Sequence, residues 1–130
     1  MNFVVLSLGS NCVEREKKMS HCIGWLFDLL SDVKVSSIYE TSALNGVDNN
    51  YLNAVLSGYT QYDHNVLNKK FKQYEIDCGR DKDNKIVGIV PIDVDIVMWN
   101  DKIIRNNDYM QAYFKIGWNE INGLVYEKDE

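Results

Sequence analysis

The chain has 130 residues, 45% of them hydrophobic and 25% charged, which suits one domain spanning 1–130 and is too short for two. Its formal net charge of −5 lacks the basic excess of a phosphate-backbone binder, so no nucleic-acid partner is expected; a nucleotide ligand would need only a few local cations or a metal. The longest apolar run, Cys22 to Leu30, is broken by Asp28 and falls short of a membrane span, and the start shows no leader pattern, so a cytoplasmic protein with no membrane partner is expected, as a monomer or weak dimer.

Asn2 to Leu8 is apolar and β-branched and reads as a buried strand ending at Gly9. Met19, Cys22, Ile23, Leu26, Phe27 and Leu30 then recur at helical spacing. Val33 to Tyr39 reads as a second strand. The polar stretch Thr41 to Asn50 follows, with the turn signal Asn45-Gly46. Tyr51 to Tyr59 is a third strand. Val66 or Leu67, with Phe71, Tyr74 and Cys78, forms the apolar face of a second helix, and Gly79 sits where a C-terminal cap belongs. Asp81 to Lys85 reads as a charged loop and Val90 to Trp99 as a fourth strand. Asp101 to Arg105 suggests a short edge strand, Met110 to Trp118 a helix or turn, and Leu124 to Tyr126 a last apolar stretch.

The order β-α-β-β-α-β predicts an α+β, ferredoxin-like domain. Both helices would pack on one face of an antiparallel sheet, with the other face open or covered by loops.

Chemistry concentrates in Pro91-Ile92-Asp93-Val94-Asp95-Ile96-Val97-Met98-Trp99. Alternation puts Ile92, Val94, Ile96 and Met98 on one side and both aspartates on the other. Two neighbouring carboxylates repel unless a positive charge lies between them, and an oxygen-only pair favours magnesium over zinc. A solvated strand face with cross-strand Lys or Arg partners is the plainer reading. Tyr51 and Asn53 share a face and suit a flat heterocycle, or simply cross-strand packing. Arg80, just past the second helix, would reach a phosphate or merely complement the helix dipole. Lys69, Lys70 and Lys72 read as a solvated helix face. Gly9-Ser10-Asn11 lacks the rest of a phosphate loop and reads as a tight turn, with Ser10 or Asn11 capping the helix. Cys12, Cys22 and Cys78 are odd in number and well separated, which suits free thiols, and His21 beside Cys22 is a poor zinc spacing.

Taken in order, Ser7-Leu8-Gly9-Ser10-Asn11, Ser36-Ser37-Ile38-Tyr39-Glu40-Thr41, Tyr51-Leu52-Asn53-Ala54, Glu75-Ile76-Asp77-Cys78-Gly79-Arg80 and Pro91-Ile92-Asp93-Val94-Asp95-Ile96 resemble the 6-hydroxymethyl-7,8-dihydropterin pyrophosphokinases of folate biosynthesis. The resemblance implies pyrophosphate transfer from ATP to the pterin hydroxymethyl group, leaving AMP. It implies two magnesium ions on Asp93 and Asp95, with Glu75 and Arg80 near ATP. Thr41, Leu44 and Asn53 match pterin-pocket positions, with Tyr51 beside them and Tyr113 or Phe114 as a second aromatic.

The resemblance breaks twice. Val87-Gly88-Ile89-Val90 stands where the family carries an aromatic-Gly-Pro-Arg run, leaving Lys82 and Lys85 as nearby cations. The family's Pro-His segment and following arginine are also missing, with Gln111 near the arginine's place. Losing such cations costs several kcal/mol each in a phosphoryl transition state. The alternatives to an enzyme are therefore a weak or inactive relative that binds a pterin or nucleotide, and an interaction domain using Trp99, Tyr109, Tyr113 and Trp118.

Overall fold

The uncharged segment Asn2–Ser10 can be buried on both faces, and it forms the middle strand of the sheet. The structure, a computed structural model, describes residues 1–123. Along the chain run β1 (Asn2–Ser10), α1 (Arg15–Leu29), β2 (Ser31–Val35), β3 (Tyr39–Thr41), β4 (Tyr51–Thr60), α2 (His64–Asp77), α3 (Lys82–Ile86), β5 (Asp93–Trp99), β6 (Lys102–Ile103), α4 (Asn106–Met110) and α5 (Ala112–Ile121). The strands lie in the order β2-β4-β1-β5-β6, with β3 also on β4, and all pairs are antiparallel. This is the expected ferredoxin-like arrangement. The expected stretch at Leu124 to Tyr126 lies outside the described residues.

One face of the sheet carries the main core. Leu6, Leu8, Leu56, Val94 and Ile96 meet Met19, Cys22 and Leu26 of α1 and Leu67 and Phe71 of α2. Leu67 therefore takes the position that Val66 also matched, and Val66 is exposed. Phe27 is 49% exposed and does not join this face. It follows Leu26 by one residue, about 100° round the helix, which carries it to the rim.

The second face is not open. α5 lies across it, and Phe114 is fully buried with Val5, Val55 and Val97. Truncating a buried phenylalanine costs about 3–5 kcal/mol, so this contact holds α5 firmly. Tyr109, Tyr113 and Trp118 pack around the same cluster, while Trp99 packs on the main core. All four of these aromatics are half-buried in packing. Among the described residues, no helix is long and apolar enough to cross a membrane. The three cysteines are free thiols, Cys22 buried and the others half-buried.

Four further local expectations change. The single strand over Val33 to Tyr39 is two strands, because Ser36 interrupts it. The Val55 N–H donates to Ser36 Oγ at 2.9 Å, so a side chain replaces part of the ladder. The charged loop at Asp81 to Lys85 is mostly a short helix, since Asp81 caps it by accepting from Asn84 N at 2.8 Å. The helix or turn expected at Met110 to Trp118 is the end of α4 and most of α5, divided by extended backbone at Gln111. In β5, the register against β1 shifts between Val5 and Leu6. That bulge turns Val97 and Met98 toward the Phe114 cluster and Trp99 toward the main core, so Met98 leaves the face of Val94 and Ile96.

Candidate active site

Two aspartates in an apolar strand need neighbours that tolerate them. Asp93 and Asp95 point away from the Val94 side of β5, and their oxygens lie within 4.8 Å of each other and of Glu75. Glu75 reaches them from α2, where it is only 4% exposed. Its Oε2 accepts from Val94 N at 2.8 Å and from Lys72 Nζ at 3.0 Å. A buried carboxylate is stable when its lone pairs are filled in this way.

Gly79 adopts φ +106 after α2, a left-handed turn that suits glycine. The turn sends the Arg80 N–H back to Glu75 O at 3.1 Å. It aims the guanidinium at Asp93 Oδ1, 2.7 Å from Nη1, with Glu75 Oε1 at 3.3 Å. Lys72 Nζ lies 3.2 Å from Asp95 Oδ1, and Arg105 Nη1 lies 4.0 Å from the same oxygen. The aspartates therefore have basic partners, but these come from helix and turn positions rather than across the sheet.

The compensation at Asp95 is incomplete. Burial pushes its carboxyl up to about 6, and the neighbouring Asp93 charge adds to the rise; Lys72 and Arg105 pull it back only in part. A further positive charge at this spot would be favourable. The donor set is all carboxylate oxygen, which fits a hard divalent cation such as magnesium.

The carboxylate pair forms one wall of a pocket of about 350 Å3. Thr41, Leu44, Tyr51, Asn53 and Tyr113 line the same pocket, with β1 residues Ser7 to Gly9 beneath them. Asn53 is 5% exposed and donates to Thr41 Oγ1 at 2.5 Å. Among the described residues, no hydrogen bond is made to its side-chain carbonyl oxygen. Tyr113 lines the pocket, whereas Phe114 is buried in the core. Lys82 opens α3, is exposed and does not line the pocket.

Sequence reasoning missed three side chains. Lys72 is not a solvated helix position; it bridges Glu75 and Asp95. Its i, i+3 spacing to Glu75 was the available signal. Arg105 joins the wall from the turn after β6 and Asp108 from the short α4, where no periodic pattern points to them. Asn11 is also more than a turn residue, and neither it nor Ser10 caps α1, whose N-cap is Glu14. Asn11 is 1% exposed and its amide clasps the loop before β5, donating to Gly88 O at 2.8 Å and accepting from Val90 N at 2.6 Å.

Known proteins resemble this chain over most of its length. Residues 5–123 match the family model described as 7,8-dihydro-6-hydroxymethylpterin-pyrophosphokinase. The chain belongs to this family. A 2-amino-4-hydroxy-6-hydroxymethyldihydropteridine pyrophosphokinase of Aquifex aeolicus is 36% identical over 107 residues, covering 81% of this chain and 66% of that protein. A folate synthesis bifunctional protein of Chlamydia trachomatis is 35% identical, covering 78% of this chain and 24% of its own length. One of Arabidopsis thaliana is 30% identical, covering 79% and 22%. The chain thus spans just under two-thirds of the Aquifex pyrophosphokinase and less than a quarter of each bifunctional protein.

Proposed function

We propose that the chain is a magnesium-dependent pyrophosphokinase of folate biosynthesis that uses ATP and 6-hydroxymethyl-7,8-dihydropterin. The observation that carries this is the meeting of two walls in one pocket. Asp93 and Asp95 stand on one, and the Asn53–Thr41 pair with Tyr51 and Tyr113 stands on the other. The first suits a metal-bound phosphate chain and the second a flat, hydrogen-bonding heterocycle.

In the reaction, the pterin hydroxyl oxygen bonds to the β-phosphorus of ATP. The bond from that phosphorus to the α–β bridging oxygen breaks, AMP leaves, and the hydroxyl proton is released. Asp93 and Asp95 would hold two magnesium ions, whose chemistry is to neutralise phosphate oxygens and align donor with acceptor. Arg80, held by Asp93 and Glu75, would take a phosphate oxygen. Glu75 and Lys72 fix the aspartate wall from behind. Asn53 orients the pterin edge, and Tyr51 and Tyr113 supply ring surface. Lys82 is retained as an outer contact for ATP. The setting is a single cytoplasmic domain acting on small molecules.

A second reading, a weak or inactive relative that binds a pterin or nucleotide, is favoured by one observation. Val90 occupies the loop position where an arginine was expected, and its backbone is tied to Asn11. The deciding experiment is AMP release by the purified protein with ATP, magnesium and the dihydropterin. AMP appearing only with the pterin supports the enzyme, and Asp95→Ala should then lower the rate by at least about a hundred-fold. Binding of either ligand without AMP release would establish the binder instead.

A further inference from the structure

Four aspartates line the pocket, Asp48, Asp93, Asp95 and Asp108, and would repel a polyphosphate. Among the residues lining the pocket, one is basic: Arg105, in the turn between β6 and α4. Its Nε is bonded to Asp108 Oδ2. Its Nη1 stands 4.0 Å from Asp95, a long contact. A guanidinium has five N–H donors in a planar fork, so the outer donors are left for a ligand among the described residues. The other oxygen of Asp108, Oδ1, receives the Tyr113 hydroxyl. Asp108 is thus shared between a cation and a pocket aromatic, and its side chain is only 15% exposed.

We infer that Arg105 binds the phosphate chain of the nucleotide beside Asp95, and that Asp108 is its positioning residue. The inference rests on the pyrophosphokinase reading and adds a phosphate contact to it. A purely structural Arg105–Asp108 pair, three residues apart and with its arginine half exposed, would contribute little to stability and nothing to ligand affinity. Asp108 instead holds the fork still, so less rotational freedom is lost when a phosphate arrives.

Calorimetric titration with magnesium-ATP, and separately with the dihydropterin, tests this on the intact chain. Arg105→Gln is expected to weaken magnesium-ATP at least tenfold and leave the pterin within twofold. Arg105→Lys should recover part of the loss, because the charge returns without the fork. Asp108→Asn should weaken magnesium-ATP in the same direction, and the double variant should bind no worse than Arg105→Gln alone. Wild-type affinity for magnesium-ATP in Arg105→Gln overturns the inference while leaving the enzyme reading intact. Additive losses in the double variant overturn the positioning role of Asp108. A wild-type chain that neither binds magnesium-ATP nor releases AMP overturns the enzyme reading, and this inference with it.

Discussion

The hydroxyl of Tyr39 sits inside the first turn of α5, donating to the Tyr113 carbonyl at 2.5 Å and accepting from the Gly117 N–H at 3.1 Å. Those two backbone groups are four residues apart and would otherwise pair with each other. An edge-strand side chain thereby sets the helix that carries a pocket aromatic. Tyr39→Phe should cost about 1 kcal/mol of stability and weaken pterin binding, read by chemical melts and calorimetry.

The same phenol gives an alkaline signature. Burial pushes Tyr39 up to about 12 from an ordinary 10.0. Its contribution is complete below pH 10, where both states are neutral. It is lost as pH rises through about 12, because the unfolded chain ionises first. The stability gap between wild type and Tyr39→Phe should narrow across that window, and a constant gap would contradict the assignment.

Gly117 and Gly24 both lie in helices, yet alanine should act oppositely at them. A methyl at Gly117 would come within 2.7 Å of Val55 Cγ2 and 2.8 Å of the Tyr39 hydroxyl, whereas nothing lies within 4 Å at Gly24. Overpacking costs about 1–3 kcal/mol and outweighs the helix-propensity gain of up to about 1 kcal/mol. Gly117→Ala should therefore lower the melting temperature and Gly24→Ala should raise it.

Asp95 predicts a function-stability trade. Its carboxyl is raised to about 6 from 3.8, so the folded state binds a proton that the unfolded state has lost between those values. Stability on its account is highest below about 3.8 and falls as pH rises through about 6. Without added divalent cation, Asp95→Asn should be more stable than wild type at pH 7.5 by about 1–2 kcal/mol, and the gain should vanish near pH 4. Magnesium should close the gap by stabilising the wild type alone. Urea melts at the two pH values would show this, and an equal gain at both would refute it.

Lys72 is the test of the missed cation. It pulls Asp95 downward, so Lys72→Met should move the Asp95 titration above its wild-type midpoint in carboxyl-detected NMR. The stability loss should be modest, about 1 kcal/mol. The side chain is 41% exposed, and Glu75 keeps Arg80 and the Val94 N–H.

The aspartate pair was legible because charge in a strongly apolar strand is costly, and alternation gave both residues one direction. Pocket residues Thr41, Tyr51 and Asn53 were legible as parts of collinear motifs. The choice between Tyr113 and Phe114 was not, since both are aromatic and adjacent; only docking on Val5, Val55 and Val97 decides which turns inward. The coverage of the second sheet face had a readable signal. Phe114, Gly117, Trp118 and Ile121 recur at helical spacing, but the break at Gln111 blurred it. The Val97 bulge has no local signature, being a compromise between strands distant in sequence. Lys72 and Arg105 carry no hydrophobic period, and their roles arise only when the chain brings the aspartates to them.

The central position of β1 has a consequence for synthesis. Its two partners, β4 and β5, are translated long after it, the second ending at Trp99. Until β4 is made, an uncharged and largely apolar segment has both hydrogen-bonding edges bare, and one edge stays bare until β5 follows. Such a segment is prone to association with other chains. Ribosomes stalled before β4 should therefore display a more aggregation-prone chain than those stalled between β4 and β5, where one edge is already covered.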